Sequence, residues 1–111
     1  WIKDRVNSNQ HQLVDSVRGG DLVIKSPDIS TGEVAYVPPA GDSVAWCWNV
    51  DSAPVNNTDG TIATQCAANP TAGFSIMTWA GSSNPGTIGH GLTKTPEFFI
   101  LKNTNISIKY F

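Results

Sequence analysis

Apolar and polar residues alternate every second position through most of this chain, and almost nowhere follow the 3.6-residue period of a helix. The longest such stretch organises the rest and covers residues 73–103. Phe74, Ile76 and Thr78 alternate with Ser75, Met77 and Trp79, which predicts a strand. Phe98, Phe99, Ile100 and Leu101 form a continuous apolar run, the pattern of a strand covered on both faces. Between them, Gly81, Asn84-Pro85-Gly86 and Gly89-His90-Gly91 supply turn chemistry, and Thr95-Pro96 extends the backbone ahead of the second strand.

Shorter extended pieces precede it. Trp1-Ile2-Lys3 reads as the tail of a strand, and residues 6–12 as a polar loop. Leu13, Val14 and Val17 fit one helical turn, but Gly19-Gly20 stops it, which favours a short strand or a single turn. Leu22-Val23-Ile24 and residues 33–37 predict strands, with a turn at residues 28–32 and a break at Pro38-Pro39. In residues 43–50, Val44, Trp46, Trp48 and Val50 share one face and Ala45, Cys47 and Asn49 the other. A long polar connection through residues 51–60 closes on Asp59-Gly60, and residues 61–66 alternate again. Asn69-Pro70-Thr71-Ala72-Gly73 predicts a turn, and Ile106, Ile108 and Tyr110 a last strand. About seven or eight short strands with turn signals between them predict an all-β, antiparallel β-sandwich or jelly-roll-like module over residues 1–111.

Composition narrows the function classes. Of the 111 residues 40% are hydrophobic, enough for a core, but only 14% are charged. A low-charge surface of Ser, Thr, Asn and Gly suits extracellular or virion proteins. A net charge of −2 without a basic run argues against nucleic-acid binding, and no apolar stretch is long enough to insert in a membrane as a helix. Cys47 and Cys66 make no disulfide framework; buried free thiols are the simpler expectation and one bridge the alternative.

The two ends resemble each other. Trp1-Ile2-Lys3-Asp4 returns as Ile100-Leu101-Lys102-Asn103, with Lys102 standing 99 positions after Lys3. Four positions can match by coincidence; with the opening on Trp1 rather than Met, the alternative is a window from a longer tandem-repeat chain, completed by a neighbouring copy.

A series of motifs in fixed order carries a wider likeness: Trp1-Ile2-Lys3-Asp4-Arg5, His11-Gln12-Leu13-Val14-Asp15-Ser16-Val17-Arg18-Gly19, Val44-Ala45-Trp46-Cys47-Trp48, Asn57-Thr58-Asp59-Gly60-Thr61-Ile62, Ala68-Asn69-Pro70-Thr71-Ala72-Gly73-Phe74-Ser75-Ile76, and Gly89-His90-Gly91-Leu92 ahead of Pro96 and Ile100-Leu101-Lys102-Asn103. In combination they resemble an uncharacterised repeat domain in large structural proteins of marine tailed phages, those of cyanobacteria and of abundant ocean bacteria. The resemblance implies a tail-fibre or other virion appendage component, often with lectin-like sandwich domains, and no catalytic residues. Here the segment between the Arg-Gly and Ala-Trp-Cys-Trp motifs, residues 21–44, is shorter than in that family.

Few residues suggest chemistry. Trp46 and Trp48 fit a sandwich core, with a sugar-stacking platform as the alternative. Trp79, at a strand end beside Gly81, is the better candidate for an exposed contact, with packing as the equal alternative. His90, between two glycines, fits a turn in which it bonds the backbone. Scattered aspartates form no calcium loop, and no nucleophile elbow, phosphate loop or dinucleotide fingerprint is present. Two glycosylation patterns, at Asn56 and Asn105, are short enough to arise by chance.

The expectation is therefore a non-enzymatic virion module, without cofactor or metal, that assembles with its own copies and other virion proteins and contacts a host-surface glycan. The alternatives are a carbohydrate-binding or adhesin module and a fragment of a glycan-degrading enzyme. The last needs paired carboxylates, and Glu33 and Glu97 have no evident partners.

Overall fold

The structure is a computed structural model and describes residues 1–6, 11–19, 22–26, 34–50, 52–104 and 109–110. It is all-β, with antiparallel sheets consistent with a β-sandwich-like fold and no helix among the described residues. The chain forms two compact units, Trp1–Cys47 with Phe98–Phe111, and Trp48–Glu97.

The first unit holds a sheet made of β1 (Ile2–Asp4), β2 (His11–Val14), β3 (Leu22–Ser26), β4 (Val34–Ala35) and β5 (Ser43–Ala45), in the order β4-β3-β2-β1-β5. Leu13 opposes Ile24 and Val14 opposes Val23, so β-branched and apolar residues meet across the β2–β3 ladder. Val23 and Ile24 are buried there. Asp15 ends β2 by folding its carboxylate back on the chain. Oδ1 accepts the amides of Val17 and Arg18 at 3.0 and 2.9 Å, while Oδ2 accepts the Arg18 guanidinium. This local alternative to a helix explains why Leu13, Val14 and Val17 do not form one.

The second unit holds β6 (Val55–Asn57), β7 (Thr64–Asn69) and β8 (Phe74–Thr78), in that order. β7 and β8 form a hairpin around residues 70–73. Asn69 Oδ1 accepts the Ala72 amide at 2.9 Å, Pro70 O accepts the Gly73 amide at 3.3 Å, and Gly73 takes a φ of 68°. Thr64, Cys66 and Ala67 are buried on the central strand, while Gln65 faces outward. Returning to the first unit, β9 (Leu101–Lys102) pairs with β10 (Lys109–Tyr110) as a separate two-stranded sheet.

Several expectations are corrected. Residues 98–101 are not a doubly covered strand. Phe98 and Phe99 are 79% and 66% exposed, and pairing begins only at Leu101. The run was apolar, but nothing in the two-stranded sheet lies over it. Residues 43–50 give only the three-residue β5; its ladder with β1 ends where Trp1 O accepts the Trp46 amide at 2.8 Å. Trp46 and Trp48 are therefore surface residues, 49% and 56% exposed. The polar connection at residues 51–60 contains β6, an edge strand whose Val55 is largely exposed, which is why no buried-face pattern marks it. β7 starts at Thr64, because Thr61 and Ile62 bond Thr87 instead. His11 and Gln12 belong to β2, not to a loop. The turn expected at residues 28–32 and most of the last strand lie outside the described residues.

Candidate functional site

The loop at residues 86–91 is built onto β6 and β7. Thr61 and Thr87 exchange amide-to-hydroxyl bonds of 3.1 and 2.9 Å, Thr87 O accepts the Ile62 amide at 3.0 Å, and Ile62 and Ile88 form a parallel bridge. Gly89 is buried, and its carbonyl accepts the buried Thr64 hydroxyl at 3.4 Å. Gly91, at φ 68°, sits so near β7 that a Cβ would lie 3.0 Å from both Ala68 Cβ and Cys66 Sγ. His90 between them is half-buried, and its Nδ1 accepts the Leu92 amide at 3.0 Å. The expected role of His90, a turn histidine bonded to backbone, is the one the structure gives. One ring nitrogen is committed to holding the loop.

The aromatic residues have separate settings. Trp48 stacks on Phe74 with ring centroids 5.7 Å apart and planes at 20°. One indole face is covered while more than half of the residue stays open to solvent. Trp79 follows β8 and is half-buried. Trp46 lies in the first unit, beside β5, whereas Trp48, Trp79 and His90 lie in the second. Sequence reasoning missed a further aromatic pair, Trp1 and His11. Their rings meet edge-on at 5.3 Å and 88°, and Trp1 Nε1 donates to His11 Nδ1 at 2.7 Å. With Ile2 opposite Gln12, these two residues are diagonal neighbours on one face, a relation that only the register reveals.

Some of the polar groups serve the fold. Asp4 is buried, and its Oδ1 accepts the Val6 amide at 2.9 Å. Among the described residues no group of three His, Cys, Asp or Glu side chains is placed to hold a metal ion. Both cysteines are free thiols, but only Cys66 is buried; Cys47 is exposed, next to the end of β5. Burial, and secondarily the charge of Asp59, push the Cys66 thiol up from its ordinary range. The thiolate is the reactive form, so native protein at neutral pH should take up one equivalent of a maleimide rapidly at Cys47. Cys66 should react roughly tenfold more slowly or worse until denaturant is added. Peptide mapping after timed labelling checks this; equal rates would contradict the burial of Cys66.

The sheets define an all-β module. Residues 30–111 match the model of a family described as a domain of unknown function, DUF7483, and the chain belongs to that family. Comparison with curated proteins and with solved structures finds no match.

Proposed function

We propose that this chain is a non-enzymatic structural module of a phage virion, in a tail fibre, appendage or surface decoration, acting by self-assembly and by contact with the host surface. The ordered motif series and its resemblance to marine tailed-phage appendage domains support the virion setting. The observation that carries the assembly role is the apolar run Phe98, Phe99 and Ile100, exposed immediately before the β9–β10 hairpin, which has two strands among the described residues. Exposed apolar residues beside unpaired strand edges invite pairing with another chain.

Trp48 favours a second reading, a carbohydrate-binding or adhesin module. Its ring is braced by Phe74 and remains largely open, a setting suited to the apolar face of a sugar.

Mass spectrometry of purified particles from the source virus, with a glycan array run on the isolated chain, separates the readings. The virion module predicts peptides of this chain in particles at a stoichiometry of many copies. Its absence from particles, with array signal lost in Trp48→Ala, would replace it by the adhesin reading.

A further inference from the structure

The indole of Trp48 is both fixed and open. It stacks on Phe74, with ring centroids 5.7 Å apart and planes at 20°, yet 56% of the residue stays exposed. The segment that carries it is tied to the end of β7 on both sides of the buried Val50. On one side Asn69 Nδ2 donates to Asn49 O at 3.3 Å. On the other, Ser52 Oγ donates to Ala68 O at 3.1 Å and accepts the Ala68 amide at 3.2 Å. Phe74 is placed by the β7–β8 ladder, where it opposes Asn69, and the turn before it is held by the Asn69 bond to the Ala72 amide. A ring held this way loses little freedom when a ligand lies on its open face. Trp46 is exposed as well, but among the described residues no ring contact braces it.

The chemistry around the indole separates one class of glycan from another. In sequence the second unit, Trp48–Glu97, carries Asp51, Asp59 and Glu97 as its acids and Lys94 as its one lysine, with no arginine; residues 60–93 hold no charged residue at all. β7, β8 and the turn between them lie wholly inside that uncharged stretch. A sulphated or uronic-acid glycan needs Lys or Arg to offset its charge, and one lysine against three acids does not supply it. An uncharged pyranose needs an apolar surface for its C–H face and amide or hydroxyl groups for its rim. Trp48 is the surface. Asn69, half-buried and opposite Phe74, is the amide. A primary amide offers two donors and two acceptor lone pairs; the bonds to Asn49 O and from the Ala72 amide use one of each.

We propose that the open face of Trp48, braced by Phe74, takes one pyranose ring of an uncharged glycan, with a hydroxyl of that ring bonded to Asn69. The sugar lays its C–H face on the indole, and Phe74 keeps the indole from turning away. Binding is selective against sulphated and uronate glycans because the unit offers their charge no adequate counter-charge. A single stacked ring binds weakly, so presentation of many copies together raises the avidity. This deepens, and rests on, the carbohydrate-binding reading given above: it names the ligand class and assigns the contact to Trp48.

The test uses the full chain, biotinylated and tetramerised on streptavidin so that a weak contact registers. It is applied to an array holding neutral, sulphated and uronate glycans, in about 0.05 and about 0.5 M NaCl. Signal should fall on neutral glycans and change by less than about twofold with salt, since no ion pair is involved. Trp48→Ala should lower it roughly tenfold or more, the loss expected of a central aromatic contact. Trp48→Tyr keeps a ring on Phe74 and should bind within about fivefold of the unsubstituted chain. Trp46→Ala, at the other exposed indole, should bind as the unsubstituted chain does. Signal confined to anionic glycans, signal that disappears in high salt, or neutral signal unchanged in Trp48→Ala overturns this inference and leaves the carbohydrate-binding reading standing. An array silent in every class removes both.

Discussion

Asp15→Ala is expected to lower the unfolding free energy by about 2 kcal/mol, between the cost of losing an exposed pair and that of removing one partner from a fully buried one. The Asp15 and Arg18 side chains are only 15% and 9% exposed, so the guanidinium would stay shielded with its counter-charge gone. The same carboxylate accepts the Val17 and Arg18 amides, so the substitution also removes acceptors for two backbone donors. Arg18 keeps the contact from Nη2 to Leu13 O at 3.3 Å, which limits the loss. Asp15→Asn separates the contributions: its carbonyl oxygen can still serve the two amides, so about half the loss should return. Urea denaturation of the three proteins measures this. A change in Asp15→Ala below about 1 kcal/mol, the size of an ordinary surface pair, would mean that the pair contributes little.

Gly60→Ala is expected to cost about 3 kcal/mol, the upper end for forcing an extra carbon into packed structure. A Cβ there would lie 2.3 Å from the Thr87 carbonyl oxygen and 2.7 Å from Ile88 Cα. Both are backbone atoms, so no rotamer change relieves the overlap; residues 86–91 must lift from Thr61 and Ile62. The bonds joining Thr61, Ile62 and Thr87 should weaken together, followed by the Thr64 contact to Gly89. Gly81→Ala is the control, since a Cβ at Gly81 meets nothing within 4 Å, and it should change stability by less than about 0.5 kcal/mol. Amide exchange of Ile62, whose donor bonds Thr87 O, reports the loop directly. Unchanged protection of Ile62 in Gly60→Ala would contradict the close approach.

Much of this fold was legible because local chemistry agreed with tertiary structure. The alternation in Phe74–Thr78 and the turn chemistry of Asn69 to Gly73 are self-contained signals, and both elements stand where the pattern puts them. Failures arose where a pattern needs to know what lies opposite. The alternation around Trp46 and Trp48 marks two faces but cannot say that the ladder stops after Ala45 or that no layer covers the indoles. Phe98 to Leu101 reads as a buried strand only if two layers enclose it. Val55 carries too little apolar pattern to mark β6, whose position follows from its pairing of Val55 with Cys66. The legible part of the candidate site was His90, because flanking glycines confine its options; the Trp48–Phe74 and Trp1–His11 contacts depend on register and remained hidden.

The repeated end motif gained meaning only with the pairing in hand. As sequence it is four similar residues. As structure it is β1, which lies between β2 and β5, and β9, which neighbours β10 among the described strands; the self-assembly we propose rests on the exposed apolar run ahead of that hairpin.

Sedimentation velocity of the purified chain over a hundredfold range of concentration, about 1 to 100 μM, tests that claim most directly; weak strand-edge contacts fall in this affinity range. The proposed self-assembly predicts a weight-average size that grows steadily with concentration. A single monomeric boundary at every concentration would contradict it.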